Sequence, residues 1–161
     1  MATDMFLKLG DIKGESNDQT HRDEIDISRW GWRITQAGSM HSGTGGGAGK
    51  VDMGNIAIEK PLDKSTPNLM ACATGKHYPG ARIVVRKAGG ASNVEYLVIT
   101  LRDVMVASYE TRAAATNDVL TEEISLNFAK VEVSYQPQKA DGGKEGGPVR
   151  FGWNIRENIK I

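Results

Sequence analysis

The sequence predicts a mainly β fold: a closed or nearly closed β-barrel of two packed antiparallel sheets, with bent strands and one α-helix. Three observations predict it. Val and Ile together number 23 against eight Leu, with ten Thr beside them, and branching at Cβ stiffens χ1 in a way that suits a pleated surface better than a helix. Apolar and polar residues alternate in stretch after stretch, which is the period of a half-buried strand. In three of those stretches the alternation changes parity, the mark of a β-bulge or of a strand crossing from one sheet to another. Roughly eight to ten short strands separated by turns, with a single helix, fit a barrel.

The first strand covers residues 5–9, where Met5, Leu7 and Leu9 alternate with Phe6 and Lys8. Residues 11–14 read as a turn and residues 16–24 as a polar loop without periodicity. The next strand, 24–34, has Ile25 and Ile27 in one phase and Trp30, Trp32 and Ile34 in the other. Residues 51–60 repeat the switch, with Val51 and Met53 before Gly54 and Ile56 and Ile58 after it. Between these two strands lies SGTGGGAGK, residues 42–50, with five glycines in nine positions. Such a segment loses more backbone entropy on ordering than any other composition, so it is expected to need a neighbour to hold it.

Residues 65–76 are the predicted helix. Ser65 or Thr66 can cap it, Pro67 suits the first turn and Gly75 stops it before Lys76 and His77. Leu69, Met70 and Ala73 are its expected apolar face, with Cys72 packed inside as a small hydrophobe. Strands follow at 81–87, 94–101 and 104–109, and residues 111–118 read as a loop. A third parity switch separates Ile124, Leu126 and Phe128 from Val131, Val133 and Tyr135. A second glycine-rich stretch, 141–148, leads to a last strand, 149–155, where Val149, Phe151 and Trp153 share a face.

One domain spanning residues 1–161 is expected from the length. Twenty basic residues balance twenty acidic ones, which argues against a general nucleic-acid or anionic-membrane binder. No apolar run exceeds five residues, against roughly 20 for a membrane span, and MATDMFLKLG has no stretch that reads as a secretory signal. Cys72 is the only cysteine, so no intramolecular disulfide can form and a reducing compartment is expected. Cys72, His21, His41 and His77 lie too far apart in sequence for zinc-ligand spacing.

No catalytic constellation appears, so neither catalysis nor a cofactor nor a metal is expected. The glycine-rich segment is not a phosphate-binding loop: Val51 follows Gly49-Lys50 where a hydroxyl is required, and Thr44 occupies the first glycine position. Asp23, Glu24 and Asp26, like Glu122 and Glu123, read as solvated charges. Trp30, Trp32 and Trp153 read as core or interface anchors. A barrel for single-stranded nucleic acid is the alternative reading, but it requires a basic groove.

Six segments in order carry a family resemblance: MFLKLGDIKGES (5–16), Trp30-Gly31-Trp32, HSGTGGGAGK (41–50), DKSTPNLMACATGKH (63–77), NFAKVEVSYQPQ (127–138) and FGWNI (151–155). Together they resemble the haemolysin-coregulated protein (Hcp) family, the tube subunit of the bacterial type VI secretion system. The resemblance implies a phage tail-tube-like barrel flanked by its helix, and hexameric rings that stack into a tube within a contractile sheath under a spike. It also implies effector proteins carried and chaperoned in the channel, with a cytoplasmic stage before firing and secretion without a signal peptide. Nucleic acid and membrane insertion are not expected. The glycine-rich segment (Ser42, Gly43, Thr44, Gly45, Gly46, Gly47, Ala48, Gly49 and Lys50) becomes the expected contact to an adjacent subunit or ring. Lys50 is a candidate to pair with Glu24 or Asp26 of a neighbour. With the chain ending soon after FGWNI, a plain tube subunit without a toxin domain is expected.

Overall fold

A computed structural model of the chain describes residues 3–38, 48–87, 93–116 and 118–161. Among these, the alternating patterns become eleven strands: β1 (Thr3–Leu9), β2 (Ile25–Asp26), β3 (Arg29–Gly31), β4 (Ile34–Gly38), β5 (Ala48–Met53), β6 (Ile56–Pro61), β7 (His77–Lys87), β8 (Glu95–Arg112), β9 (Thr121–Tyr135), β10 (Val149–Asn154) and β11 (Ile159–Lys160). The one helix, α1 (Thr66–Cys72), falls between β6 and β7.

Antiparallel ladders join these strands in the order β11-β10-β9-β8-β7-β1-β2. β9 belongs to two layers at once. One of its edges follows β8 for nearly its whole length; the other pairs with β6 over residues 121–126 and with β10 over residues 130–135. Its bend falls where the sequence changes parity: Ile124, Leu126 and Phe128 are buried from one side, Ala129 and Val131 after the turn of phase, and Ala129 O accepts a bond from Ile155 N at 2.9 Å. β8 is one 18-residue strand where the sequence suggests two. The apparent interruption is local, with Asp103 at φ 52° and a bulge between Val106 and Ser108.

The two other parity switches are breaks between strands. The stretch 24–34 divides into β2, β3 and the start of β4, and 51–60 divides at Gly54 into β5 and β6. β3 pairs with β6, while β4 and β5 form a separate two-stranded sheet. β2 and β3 are linked by Ile27 and Ser28, whose amides donate to Met5 O at 3.0 Å and Glu59 O at 2.8 Å. The barrel is therefore not closed by a continuous ladder; two single bonds bridge the gap. The interior holds Leu7, Leu9, Ile25, Ile58, Ile83, Leu101 and Leu126 with no exposed surface, each stabilising by roughly 1.5–3 kcal/mol.

The helix is shorter than its sequence signals suggest. Ser65 occupies the N-cap position without a side-chain capping bond, because its hydroxyl donates to Asp63 instead. Leu69 and Cys72 face the core, while Met70, a third of a turn away, is exposed. What pins this segment is a buried charge cluster that a reading of Glu122 as a solvated rim misses. Lys60 and Glu122 are cross-strand partners, in phase with Ile56/Ile58 and Ile124/Leu126, and both side chains are fully buried. The Lys60 ammonium donates to Pro61 O at 2.8 Å, to Asp63 Oδ1 at 2.9 Å and to Glu122 Oε1. Glu122 also accepts from Thr66 Oγ1 at 2.9 Å and from Tyr109 OH at 2.5 Å. Every donor of the ammonium is used, the condition under which a buried pair holds.

Removing one partner leaves the other charge buried and unpaired. Glu122→Gln is expected to cost about 3–5 kcal/mol in urea unfolding, and Lys60→Met with Glu122→Leu to recover most of that loss. Burial and the Glu122 carboxylate push the Tyr109 hydroxyl up to about 12 from its ordinary 10.0. The folded chain thus keeps this proton longer than the unfolded one. Stability from this group is intact below pH 10 and lost as pH rises toward 12, and Tyr109→Phe should flatten that stretch of a stability–pH curve.

Candidate functional site

Of the nine residues expected to contact a neighbour, Ser42, Gly43, Thr44, Gly45, Gly46 and Gly47 lie outside the described residues. Ala48, Gly49 and Lys50 open β5, so the described part of the arm is a β-ribbon rather than a loop. Ile34 pairs with Met53, Thr35 with Asp52 and Gln36 with Val51 before the register shifts. Side chains of paired residues share a face, so Ile34, Met53 and Val51 form an apolar stripe beside Gln36. Thr35, Lys50 and Asp52 form the opposite, polar face. All of β4 is exposed, Ile34 at 45%. A lone two-stranded hairpin is marginal in water; of its apolar stripe Ile34 is exposed, while Val51 and Met53 are half-buried.

The ribbon is rooted firmly. Trp32 Nε1 donates to Gly54 O at 2.9 Å and Gly54 N to Arg33 O at 3.0 Å. The Trp32 ring meets Phe128 edge-on at 5.9 Å. A Cβ on Gly54 would lie 2.9 Å from Arg33 O, so only glycine allows the two chains to approach this closely at the root.

A second uncovered surface lies on the core-facing side of β8, β9 and β10, where three ranks of apolar residues cross the strands. Leu101, Val131 and Trp153 form the inner rank, Ile99, Val133 and Phe151 the middle, and Leu97, Tyr135 and Val149 the outer. Burial falls along the series. Leu101 and Val131 have no exposed surface, whereas Phe151 is 37%, Tyr135 49% and Val149 66% exposed. The face that builds the core runs on past the layer covering it. The three tryptophans are all half-buried against the core, and the Trp153 indole N–H is buried without a partner.

On the opposite side of β1 and β7, the stretch read as a polar loop folds back as a cover. His21 is buried and stacks on Phe6, with ring centroids 4.3 Å apart. Its Nδ1 lies 2.9 Å from Glu24 Oε2 and its Nε2 3.0 Å from Glu95 Oε1. Arg86 lies over the same Phe6 ring at 5.1 Å and bonds to Asp4 and Asp18. The guanidinium holds the Asp18 carboxyl below the usual carboxylate range. Glu24 is thus already engaged within its own chain. Asp26 is exposed on β2, and desolvation holds its carboxyl above the usual carboxylate range. A lone histidine in a charged stretch carries no sequence signal of burial; only the fold brings Phe6 and Glu95 to it.

Cys72 is buried with its Sγ 3.0 Å from the Tyr78 hydroxyl. Among the described residues no group of three or more His, Cys, Asp or Glu side chains could hold a metal ion, and no helix is long and apolar enough to cross a membrane. What the geometry offers is surface for another macromolecule: an amphipathic ribbon and an open apolar sheet end. Gly54→Val should therefore lower the unfolding free energy measured in urea by about 1–3 kcal/mol through overpacking at the ribbon's root. Gly31→Ala, whose Cβ meets nothing within 4 Å, should not lower it.

The model of the family described as "Type VI secretion system effector, Hcp" matches residues 6–135. The chain is 59% identical to Protein hcp1 of Pseudomonas aeruginosa, over 99% of each sequence. It is similar in structure to a type six secretion system protein, with a TM-score of 0.92 at 27% identity, covering 99% of this chain and 100% of that one. At the level of fold alone it is similar to the tube-terminating cap of the anti-feeding prophage, with a TM-score of 0.53 at 13% identity over 81% of this chain and 87% of the cap. With a family model covering most of the chain and an end-to-end relative well above the level at which fold and family are shared, this chain belongs to the Hcp family of the type VI secretion system.

Proposed function

We propose that this chain, as a single domain over residues 1–161, is the structural subunit of the type VI inner tube. In this reading it forms hexameric rings that stack into a tube, expelled together with its spike by a contracting sheath. Effector proteins ride in the lumen, chaperoned by the ring. The chain resides in the bacterial cytoplasm before firing and leaves by the machine itself, without a signal peptide. It performs no reaction and requires no cofactor.

The observation that carries this reading is the pair of unfinished surfaces. An arm that projects apolar side chains and a sheet whose core face opens to solvent are both incomplete in one chain, and large exposed apolar patches mark interfaces. The two surfaces differ, so contact between them is heterologous and generates a ring when the rotation closes. Ser42, Gly43, Thr44, Gly45, Gly46 and Gly47 at the end of the arm, continued by Ala48, Gly49 and Lys50, are the proposed contact to an adjacent subunit or the next ring. Stacked rings must separate after delivery, so contacts between rings should be smaller and more polar than those within a ring.

Light scattering of the purified chain should give about six times the 17.4 kDa subunit mass, with annular particles in electron micrographs. A stable monomer across micromolar concentrations would count against a tube. Deleting residues 45–47 should weaken ring stacking or the contact to an adjacent subunit while leaving the thermal midpoint of the subunit unchanged; a deletion that unfolds the chain would place this segment in the core instead.

A further inference from the structure

We infer that His21 is a charged clasp: with both ring nitrogens protonated it pins the cover of residues 16–24 to β1 and β8, and loss of one proton as pH rises releases that cover. His21 is 1% exposed, yet each of its ring nitrogens faces a carboxylate. Nδ1 lies 2.9 Å from Glu24 Oε2, and Nε2 lies 3.0 Å from Glu95 Oε1. A neutral imidazole carries one N–H and one bare nitrogen in either tautomer. A bare nitrogen here would set its lone pair against a carboxylate oxygen at hydrogen-bonding distance. Only the imidazolium donates to both.

The surrounding charges favour the same form. The cover itself supplies Glu24 and Asp18, whose Oδ1 accepts the His21 amide at 3.1 Å. β8 supplies Glu95. From β7 come Arg82, which donates to Glu95 Oε2 at 3.0 Å, and Arg86, which donates to Asp18 and to Asp4 of β1. Four carboxylates against two guanidiniums leave two negative charges around a neutral ring, and the imidazolium offsets one of them. The Phe6 ring of β1 lies nearly parallel to the imidazole, 14° between planes and 4.3 Å between centroids, where its negative face attracts a cation. The bond to Glu24 stays within the cover, whereas the bond to Glu95 reaches 74 positions along the chain and ties the cover to the sheet. Gly14 N, Ser16 N and Asp23 N, which donate to Asp23 O, Glu24 O and Ser16 O at 2.8, 3.1 and 2.9 Å, belong to no long ladder and report whether the cover is in place.

Magic-angle-spinning spectra of protein labelled with 15N-histidine, the His21 signals being those lost in His21→Gln, can be followed from about pH 5 to about pH 9, above the ordinary carboxylate range. At the lower end both ring nitrogens of His21 should carry protons. Over the interval in which one proton is lost, hydrogen exchange at Gly14, Ser16 and Asp23, corrected for the intrinsic effect of pH, should show protection falling about tenfold or more. Glu95→Gln places opposite Nε2 an amide that can donate to a bare nitrogen. It satisfies the neutral ring, so protection should persist through the same range. Neither measurement requires assembly.

A bare nitrogen on His21 at about pH 5 would overturn the clasp. So would protection that stays constant while the ring loses its proton, or a ring that keeps both protons to the upper end of the range with the cover closed throughout. A Glu95→Gln chain that loses protection just as the parent does would overturn it as well, because the loss would then owe nothing to the charge facing Nε2.

Discussion

The long ladder between β8 and β9 is the constraint on which the rest of the molecule depends. Strands of 18 and 15 residues exceed what one layer of so small a chain can cover. The pair therefore bends and serves two layers, with β6 completing one and β10 the other. A continuous hydrogen-bonded ladder cannot be cut without orphaning backbone groups, so the chain accommodates the bend with a bulge near Ala107 and a left-handed residue at Asp103. The consequence at the far end is geometric: the apolar face of the upper layer continues past the cover that the lower layer supplies.

The buried Lys60–Glu122 pair lies at the opposite end of the same ladder and has a different role. Hydrophobic side chains of similar size would stabilise the position as well or better. What the ion pair adds is direction. Three bonds donated by one ammonium and three accepted by one carboxylate must all be met at once, and this ties β6, β8, β9 and the start of α1 into one arrangement. The carboxylate of Asp63, shared between Lys60 and Ser65, explains why the helix starts where it does although its N-cap hydroxyl is turned away.

The proposed role in an expelled tube asks for rigid subunits and contacts that can be made and unmade. The two needs are met by different parts of the chain. The rigid part is the double layer with its fully satisfied charge cluster and the Phe6–His21–Arg86 stack that seals the outer side of β1 and β7. The less covered parts are edges: a ribbon rooted at Trp32 and Gly54, and the outer rank of a sheet.

Sequence alone determined the strand-rich class, the approximate position of the helix, the core faces of β1, β6 and β9, and the family. Each of these rests on local signals: parity, β-branching, glycine and proline at turns, and ordered motifs. Lys60 and Glu122 share the parity of the core residues of their strands, but a charge in phase with a core reads as solvated, as Glu122 did, until a partner is found across the sheet. Only tertiary structure decided the rest. It turned two expected strands into β8, three parity switches into one bend and two strand breaks, a polar stretch into the cover over Phe6, and the face of Val149, Phe151 and Trp153 into one that runs from core to solvent. Alternation says that residues share a side; what lies against that side is set by pairings tens of residues apart, such as Trp30 with Ile58 and Tyr135 with both Leu97 and Val149, and no local pattern carries that information.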